Sequence, residues 1–132
     1  MIKRILDTHG LMIFLEKEPG CDKIIELFTN AAEKENNLLM TSVNYGEFYY
    51  LTLRKEGARK LAEAERAVSL LPIDIVDVDV EIAKEAARFK ARGGLSYADC
   101  FTAGLAKLNK GEIVTGDREF KLVESEVKVF WI

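Results

Sequence analysis

The regular alternation of short apolar segments with longer segments of helical periodicity is the feature that most constrains how this chain folds. Strand-like runs occupy residues 3–6, 38–41, 72–78, 112–115 and 127–131. Helical spacing of apolar residues extends over 21–32, 43–56, 58–70, 80–91 and 96–107, and a short helix is predicted over 117–124. Strands separated by helices predict an α/β fold with a parallel sheet, right-handed crossovers and helices on both faces. The 132 residues are expected to form one domain, 1–132.

Charge and composition exclude several classes of protein. The net charge of −3 argues against a protein that coats nucleic acid through bulk positive charge, although it leaves open a nuclease whose acids bind metal. No apolar run approaches the roughly 20 residues of a membrane span, so no membrane association is expected. Cys21 and Cys100 are too few for a disulfide framework and lack metal-ligand spacing. We therefore expect a cytoplasmic protein.

Four acidic residues are placed where the predicted strands and helices meet. Asp7 ends the first strand and precedes a turn at residues 8–10. Glu47 lies early in the helix after the second strand, whereas Asp99 opens the helix that leads into the fourth. Asp117 follows the fourth strand. In a parallel sheet all four positions fall on one edge, beside the crevice in which open α/β sheets bind their ligands.

Most of these acids also have a purely structural interpretation. Asp7 and Asp117 are suited to capping the helices that follow them. Ser42 and Asn44 are candidate N-caps of the helix that carries Glu47, and Asn44 with Glu47 has the spacing of a capping box. Taken singly, each acid is therefore weak evidence for catalysis.

The coincidence of four carboxylates at one edge favours a metal site. Asp99 opens a helix that is apolar on most sides, and a carboxylate buried there has to be paired, hydrogen-bonded or bound to metal. Helix N-termini offset only about 0.3–1 kcal/mol of the repulsion at each acid. A cation such as Mg²⁺ resolves the repulsion and activates water for in-line attack on a phosphodiester. The chain contains no Ser/His/Asp set, P-loop or GxGxxG motif that would supply other chemistry.

Four segments together resemble motifs of the PIN-domain ribonucleases, and most closely those of the small VapC-type toxins of bacterial and archaeal toxin–antitoxin pairs. The segments are ILDTHGL, SVNYGEF, LSYADCFTAGLA and IVTGDREF, and their order covers essentially the whole chain. They carry the counterparts of the family's four acids and two supporting hydroxyl groups, which are Asp7, Thr8, Glu47, Asp99, Thr115 and Asp117.

The resemblance implies a PIN-like three-layer α/β/α sandwich whose five parallel strands run in the order 3-2-1-4-5. It implies Mg²⁺- or Mn²⁺-dependent endonucleolytic cleavage of RNA, leaving a 5′ phosphate and a 3′ hydroxyl. The four acids would bind the metal, and the two threonines would orient the acids or a water molecule. It also implies a homodimer and a cognate VapB-type antitoxin whose C-terminal arm fills the groove at the acids.

Two positions depart from the family's pattern. His9 stands where Ser or Asn is more usual, and it is interpreted either as a solvated or capping residue or as a contact to substrate or metal. Cys100 replaces a common Ala and is expected to be a small core residue. Neither change removes a carboxylate, so both bear on substrate preference and not on activity.

Basic and apolar segments indicate where partners would bind. Positive charge for RNA contacts could come from five residues, most of which are more simply explained as solvated surface charges: Arg88, Lys90, Arg92, Arg118 and Lys121. Residues 90–94 (KARGG) are expected to be a flexible loop that contacts the RNA backbone. The apolar stretches 11–15 and 48–53 either enter the core or form a surface for the antitoxin, a second copy of the chain, or both.

The leading hypothesis is a metal-dependent endoribonuclease toxin. The alternative is a non-cleaving PIN-like module that binds RNA or a protein, although the presence of all four acids argues against it. A third option is a Rossmann-like phosphatase with Asp7 as its nucleophile. That chemistry usually places a second acid two residues later, where this chain has His9.

Overall fold

Five parallel strands form the single sheet of the computed structural model, which describes residues 1–132. The strand order is β3-β2-β1-β4-β5, so the predicted α/β fold and its 3-2-1-4-5 order are confirmed. Ile5 on the central strand pairs with Leu39 on one side and Ile113 on the other. The strands are β1 (Arg4–Leu6), β2 (Leu38–Thr41), β3 (Ile73–Val76), β4 (Glu112–Thr115) and β5 (Lys128–Trp131).

Six α-helices and one short 3₁₀ helix connect the strands. None of the helices is both long enough and apolar enough to span a membrane. The α-helices are α1 (Thr8–Glu16), α2 (Cys21–Glu33), α3 (Ser42–Glu56), α4 (Ala58–Ser69), α5 (Val80–Arg92) and α6 (Tyr97–Asn109), and the 3₁₀ helix is Arg118–Val123.

Two apolar layers enclose the sheet, because successive residues of a strand point to opposite faces. Ile5 and Ile113 belong to the layer formed with α5 and α6, whereas Leu6 and Val114 belong to the layer formed with α1 to α4. The central strands are therefore buried on both sides, as expected for a parallel sheet. Cys100 is fully buried in the first layer, which confirms that it is a small core residue.

Helix starts differ from the sequence-based predictions at two places. The turn predicted at residues 8–10 is the first turn of α1, because Asp7 accepts a hydrogen bond from the Gly10 N–H and caps the helix. The N-cap of α3 is Thr41, whose hydroxyl oxygen accepts from the Asn44 N–H. The prediction that Ser42 or Asn44 caps α3 was therefore wrong, and Asn44 forms no capping box with Glu47. Asp79 caps α5 by accepting from the Ile82 N–H, and Ser96 caps α6 by accepting from the Asp99 N–H.

Candidate metal centre

The carboxyl edge of the sheet brings three of the four predicted acids together. Asp7 directly follows β1, and Asp117 lies two residues beyond β4. These strands are hydrogen-bonded neighbours, so their ends lie side by side. Asp99 reaches the same place from the first turn of α6. The three carboxylates lie close enough for Asp7 and Asp117 each to repel negative charge on Asp99.

Asp7 is held rigidly at the base of this edge. Its side chain is fully buried, with Oδ1 accepting from the Gly10 N–H at 2.7 Å and Oδ2 accepting from the Thr115 hydroxyl at 2.6 Å. The Thr115 hydroxyl oxygen also accepts from the Asp117 N–H at 2.9 Å. Thr115 therefore links the two strand-end acids, and Asp7 caps a helix and belongs to the acidic group at the same time.

Gly10 allows this close approach. A Cβ atom at this position would lie 2.6 Å from Leu6 Cδ1 and 3.2 Å from the capping oxygen of Asp7. A larger side chain would consequently push α1 away from the strand end that it caps.

A tight group of carboxylates forms at the mouth of the site from Asp99, Asp117 and Glu119. One oxygen from each lies within 4.8 Å of the others. Asp99 is buried, Asp117 is half-buried and Glu119 is exposed. Asp117 caps the 3₁₀ helix by accepting from the Glu119 N–H at 3.0 Å. Glu119 was not among the predicted site residues. The only indication in the sequence is that Glu119 lies two residues after Asp117. The tight 3₁₀ turn places the Glu119 carboxylate close to that of Asp117.

The donor set of this group fits a hard divalent cation. All of the donors are carboxylate oxygens, the ligand type that Mg²⁺ and Mn²⁺ prefer, with no thiolate or imidazole among them. Oxygens on opposite sides of a Mg²⁺ ion lie about 4.2 Å apart, so small side-chain rotations bring the three oxygens to coordination distance. Asp7 lies outside this closest group, but its negative charge acts on the neighbouring Asp99.

Two predicted site residues occupy other positions. Glu47 lies half-buried on α3 and is not part of the close carboxylate group. The Thr8 hydroxyl donates to the Asn44 carbonyl oxygen at 3.1 Å and accepts from Asn44 Nδ2 at 3.2 Å. Thr8 thus joins α1 to α3 and makes no hydrogen bond to an acid.

Asn44 is a buried hub that the sequence analysis interpreted only as a helix cap. Its side chain is fully buried. Oδ1 accepts from the hydroxyls of Thr41 and Thr102, the latter at 3.0 Å, and Nδ2 donates to the Ala98 carbonyl oxygen at 3.3 Å as well as to Thr8. One amide therefore connects β2, α1, α3 and α6, the elements that surround the acids. Ala98 immediately precedes Asp99, so this network positions the first turn of α6.

Burial and mutual repulsion raise the pKa values of two of the acids. Burial, partly opposed by the hydrogen bonds from Thr115 and Gly10, raises the pKa of Asp7 from its ordinary 3.8 to about 6. Burial raises the pKa of Asp99 further, to about 8, with the charges of Asp7 and Asp117 adding to the effect. Near neutral pH the metal-free site therefore retains a proton on Asp99, and a bound cation would displace it.

The basic candidates fall into two groups. Arg88 pairs with Glu85, and Arg92 pairs with Glu126. Lys90 Nζ donates to the Leu95 carbonyl oxygen at 3.0 Å. Residues 90–92 form the last turn of α5, so the prediction of a flexible loop beginning at residue 90 was wrong.

Arg118 and Lys121 remain exposed on the 3₁₀ helix and form no ion pair. His9 is exposed beside Asp7, with its ring against the backbone of Gly116. These three side chains border the acids and remain available to a ligand.

The metal-free protein is expected to lose stability as the pH rises from 5 to 8. The unfolded chain releases its aspartate protons near 3.8, whereas the folded chain keeps those of Asp7 and Asp99 up to about 6 and about 8. Over that range the folded state binds more protons, so the free energy of unfolding falls with increasing pH. Urea unfolding in chelator at several pH values measures this.

Two variants separate the contribution of Asp99 to this pH dependence from that of the other titrating groups. Asp99→Asn should flatten the fall between pH 6 and 8, whereas Asp77→Asn, at an exposed loop position, should leave it unchanged. Mn²⁺ should stabilise the parent more at pH 8 than at pH 5. A parent and an Asp99→Asn variant with the same pH dependence would contradict the assignment.

Replacing the hub amide should destabilise the protein strongly. Asn44→Ala leaves the Thr102 and Thr41 hydroxyls without their acceptor and opens a small cavity, so we expect a loss of about 2–4 kcal/mol in the free energy of unfolding. Asn109→Ala, which removes one amide hydrogen bond at the end of α6, should cost under about 1 kcal/mol. Urea denaturation at one pH compares them, and equal losses would contradict a hub role for Asn44.

Comparison with solved structures agrees with the architecture. The chain superposes on the crystal structure of DNA-bound VapBC from Salmonella typhimurium with a TM-score of 0.79, 22% identity and 98% coverage of each chain. It superposes on Mycobacterium tuberculosis VapC20, a sarcin-ricin loop cleaving toxin, with a TM-score of 0.71, 15% identity and coverage of 92% of this chain and 95% of the other.

Comparison of sequences gives the family. The chain is 26% identical over 124 residues to VapC ribonuclease Mb0640 from Mycobacterium bovis, and equally to ribonuclease VapC30 from Mycobacterium tuberculosis. Each alignment covers 89% of this chain and 92% of the relative. The PIN domain profile matches residues 4–126, which include every acid of the candidate metal centre. The protein therefore belongs to the PIN domain family.

Proposed function

We propose that this protein is a metal-dependent endoribonuclease toxin of a toxin–antitoxin system, with one nuclease domain over residues 1–132, acting in the cytoplasm. The observation that carries the proposal is the convergence of Asp7, Asp99 and Asp117 with Glu119 at the carboxyl edge of the sheet. The similarity to two VapC ribonucleases over 89% of the chain supports RNA as the substrate.

The proposed metal ligands are Asp7, Glu47, Asp99 and Asp117, and we add Glu119. Asp99, Asp117 and Glu119 supply the close oxygen donors. For Glu47 the support is its counterpart in the PIN motif SVNYGEF and its half-buried position on α3. Mg²⁺ or Mn²⁺ suits an all-carboxylate site.

The remaining side chains would keep the site in a reactive arrangement. When bound, the cation supplies neutralisation of phosphodiester charge and activation of the attacking water. The Thr115 hydroxyl holds Asp7 and the Asp117 backbone in register, and burial keeps Asp7 from rotating. Thr8 acts one step further away by fixing Asn44, which positions the turn that carries Asp99.

We further propose that the chain forms a homodimer and binds a VapB-type antitoxin. The VapBC complexes among its structural relatives support the antitoxin partner. On α1, Leu11 and Ile13 are buried in the core. On α3, Tyr49, Tyr50 and Leu53 remain 42%, 45% and 42% exposed, so the second apolar stretch is only partly absorbed by the core. This surface supports a protein partner at α3.

Substitution of the buried acids tests the nuclease proposal. Asp99→Asn and Asp7→Asn should each lower RNA cleavage at least about 100-fold, because they remove charge needed to hold the cation and stabilise the transition state. Glu119→Gln should instead raise the Mn²⁺ concentration required for half-maximal cleavage. The assay uses purified full-length chain freed of antitoxin, structured RNA, and Mg²⁺ or Mn²⁺ with a chelator arm.

Glu63→Gln provides the control, because Glu63 is exposed on α4. It should cleave like the parent. Normal cleavage by Asp99→Asn would show that the site is wrongly assigned. A parent that binds RNA but never cleaves it in either metal would favour the non-cleaving binding module.

A further inference from the structure

A cleft lies directly beside the acids, beyond the ends of β4 and β5. It has a volume of about 450 Å³, within the roughly 300–1,000 Å³ of typical small-ligand sites. Gly116 is bonded to Asp117, so the cleft adjoins the candidate metal centre. The lining residues are Gly116, Arg118, Lys121, Glu124, Trp131 and Ile132.

The cleft carries positive charge that the protein itself does not neutralise. Arg118 and Lys121 form no ion pair, unlike Arg88 and Arg92 on α5. Glu124 is the only acid in the lining, and its Oε2 accepts from Trp131 Nε1 at 3.3 Å. The cleft therefore has two unpaired cationic side chains and one carboxylate that is already hydrogen-bonded to Trp131. This charge balance suits an anionic group such as a phosphate.

An aromatic surface completes the cleft. Trp131 is the only tryptophan of the chain, and its hydrogen bond to Glu124 fixes the orientation of the indole. Gly116, which also lines the cleft, lies close to the His9 ring: a Cβ atom at Gly116 would be 2.9 Å from His9 Cε1 and 3.3 Å from the Ile132 carbonyl oxygen. An aromatic ring beside free cations is the combination that binds single-stranded nucleic acids by base stacking and phosphate contact.

We propose that this cleft binds one nucleotide of the RNA next to the scissile phosphodiester, with its base against Trp131 and its phosphate at Arg118 and Lys121. The inference rests on the proposed function for the identity of the substrate, but it concerns binding and not cleavage. His9 does not line the cleft, but its ring lies against Gly116, which does.

Tryptophan fluorescence tests the proposal without relying on cleavage. Full-length Asp99→Asn protein is titrated with a ten-nucleotide single-stranded RNA containing all four bases. Stacking should quench Trp131 emission, and added salt should weaken the binding. Polarisation of the same RNA carrying a fluorescent label measures variants that lack the indole.

Variants of the lining should separate base from phosphate contacts. Trp131→Ala should weaken binding about 5- to 150-fold, the range that one stacked base contributes, whereas Trp131→Phe should lose less. Arg118→Ala combined with Lys121→Ala should weaken binding at least about 10-fold and reduce its salt dependence. The matched control, Arg59→Ala with Lys84→Ala, removes two exposed cations on α4 and α5 and should bind like the parent.

In the cleaving protein, the Trp131 and Arg118/Lys121 variants should raise KM more than they lower kcat. Because both cations are exposed, their double variant tests the cleft even if Trp131→Ala fails to fold.

Unchanged Trp131 emission and unchanged affinity in these variants would overturn the subsite while leaving the nuclease intact. Quenching and weakened binding without any cleavage would support the subsite and reject the nuclease. A response to an acidic peptide but not to RNA would overturn the proposal in favour of a protein ligand.

Discussion

Mutual repulsion among carboxylates at one edge of the sheet is the constraint on which the rest of the site depends. Burial and neighbouring negative charge raise the pKa of Asp99 to about 8 and that of Asp7 to about 6. An arrangement that disfavours its own ionised form lowers the stability of the metal-free protein at neutral pH, and proteins often accept such a cost at functional sites. A bound divalent cation attracts each of these carboxylates, so the net electrostatic interaction at the site changes from repulsive to attractive.

The polar groups around the acids explain how the fold holds this unfavourable arrangement in place. Thr115 bridges the ends of β1 and β4, and Asn44 joins β2, α1, α3 and α6 through a single amide. Asp7 therefore cannot move away from Asp117 without breaking the hydrogen bonds of Thr115, and Asn44 holds the backbone that leads into Asp99. The stability of the apolar layers on the two faces of the sheet compensates for the strain at its edge.

Much of the architecture follows from local sequence patterns, whereas the site depends on contacts that no local pattern encodes. Apolar runs were sufficient to predict the alternation of strands and helices and the parallel sheet, whereas the 3-2-1-4-5 strand order came from the resemblance to the PIN-domain ribonucleases. Asn44 was interpreted as a helix cap because asparagine side chains near a helix start usually bond to nearby backbone groups. In the structure one of its partners is Thr102, 58 positions away. Glu119 was missed because only the tight turn after Asp117 brings it among the acids.

The most direct test of the metal centre is the position of a bound ion. Crystals of the full-length protein grown with Mn²⁺ would locate the metal by its anomalous scattering. We expect a peak about 2–2.6 Å from carboxylate oxygens of both Asp99 and Asp117, lost in Asp99→Asn crystals grown under the same conditions. A peak elsewhere, or no peak in protein that cleaves RNA with Mn²⁺, would contradict the assignment of these acids as the metal centre.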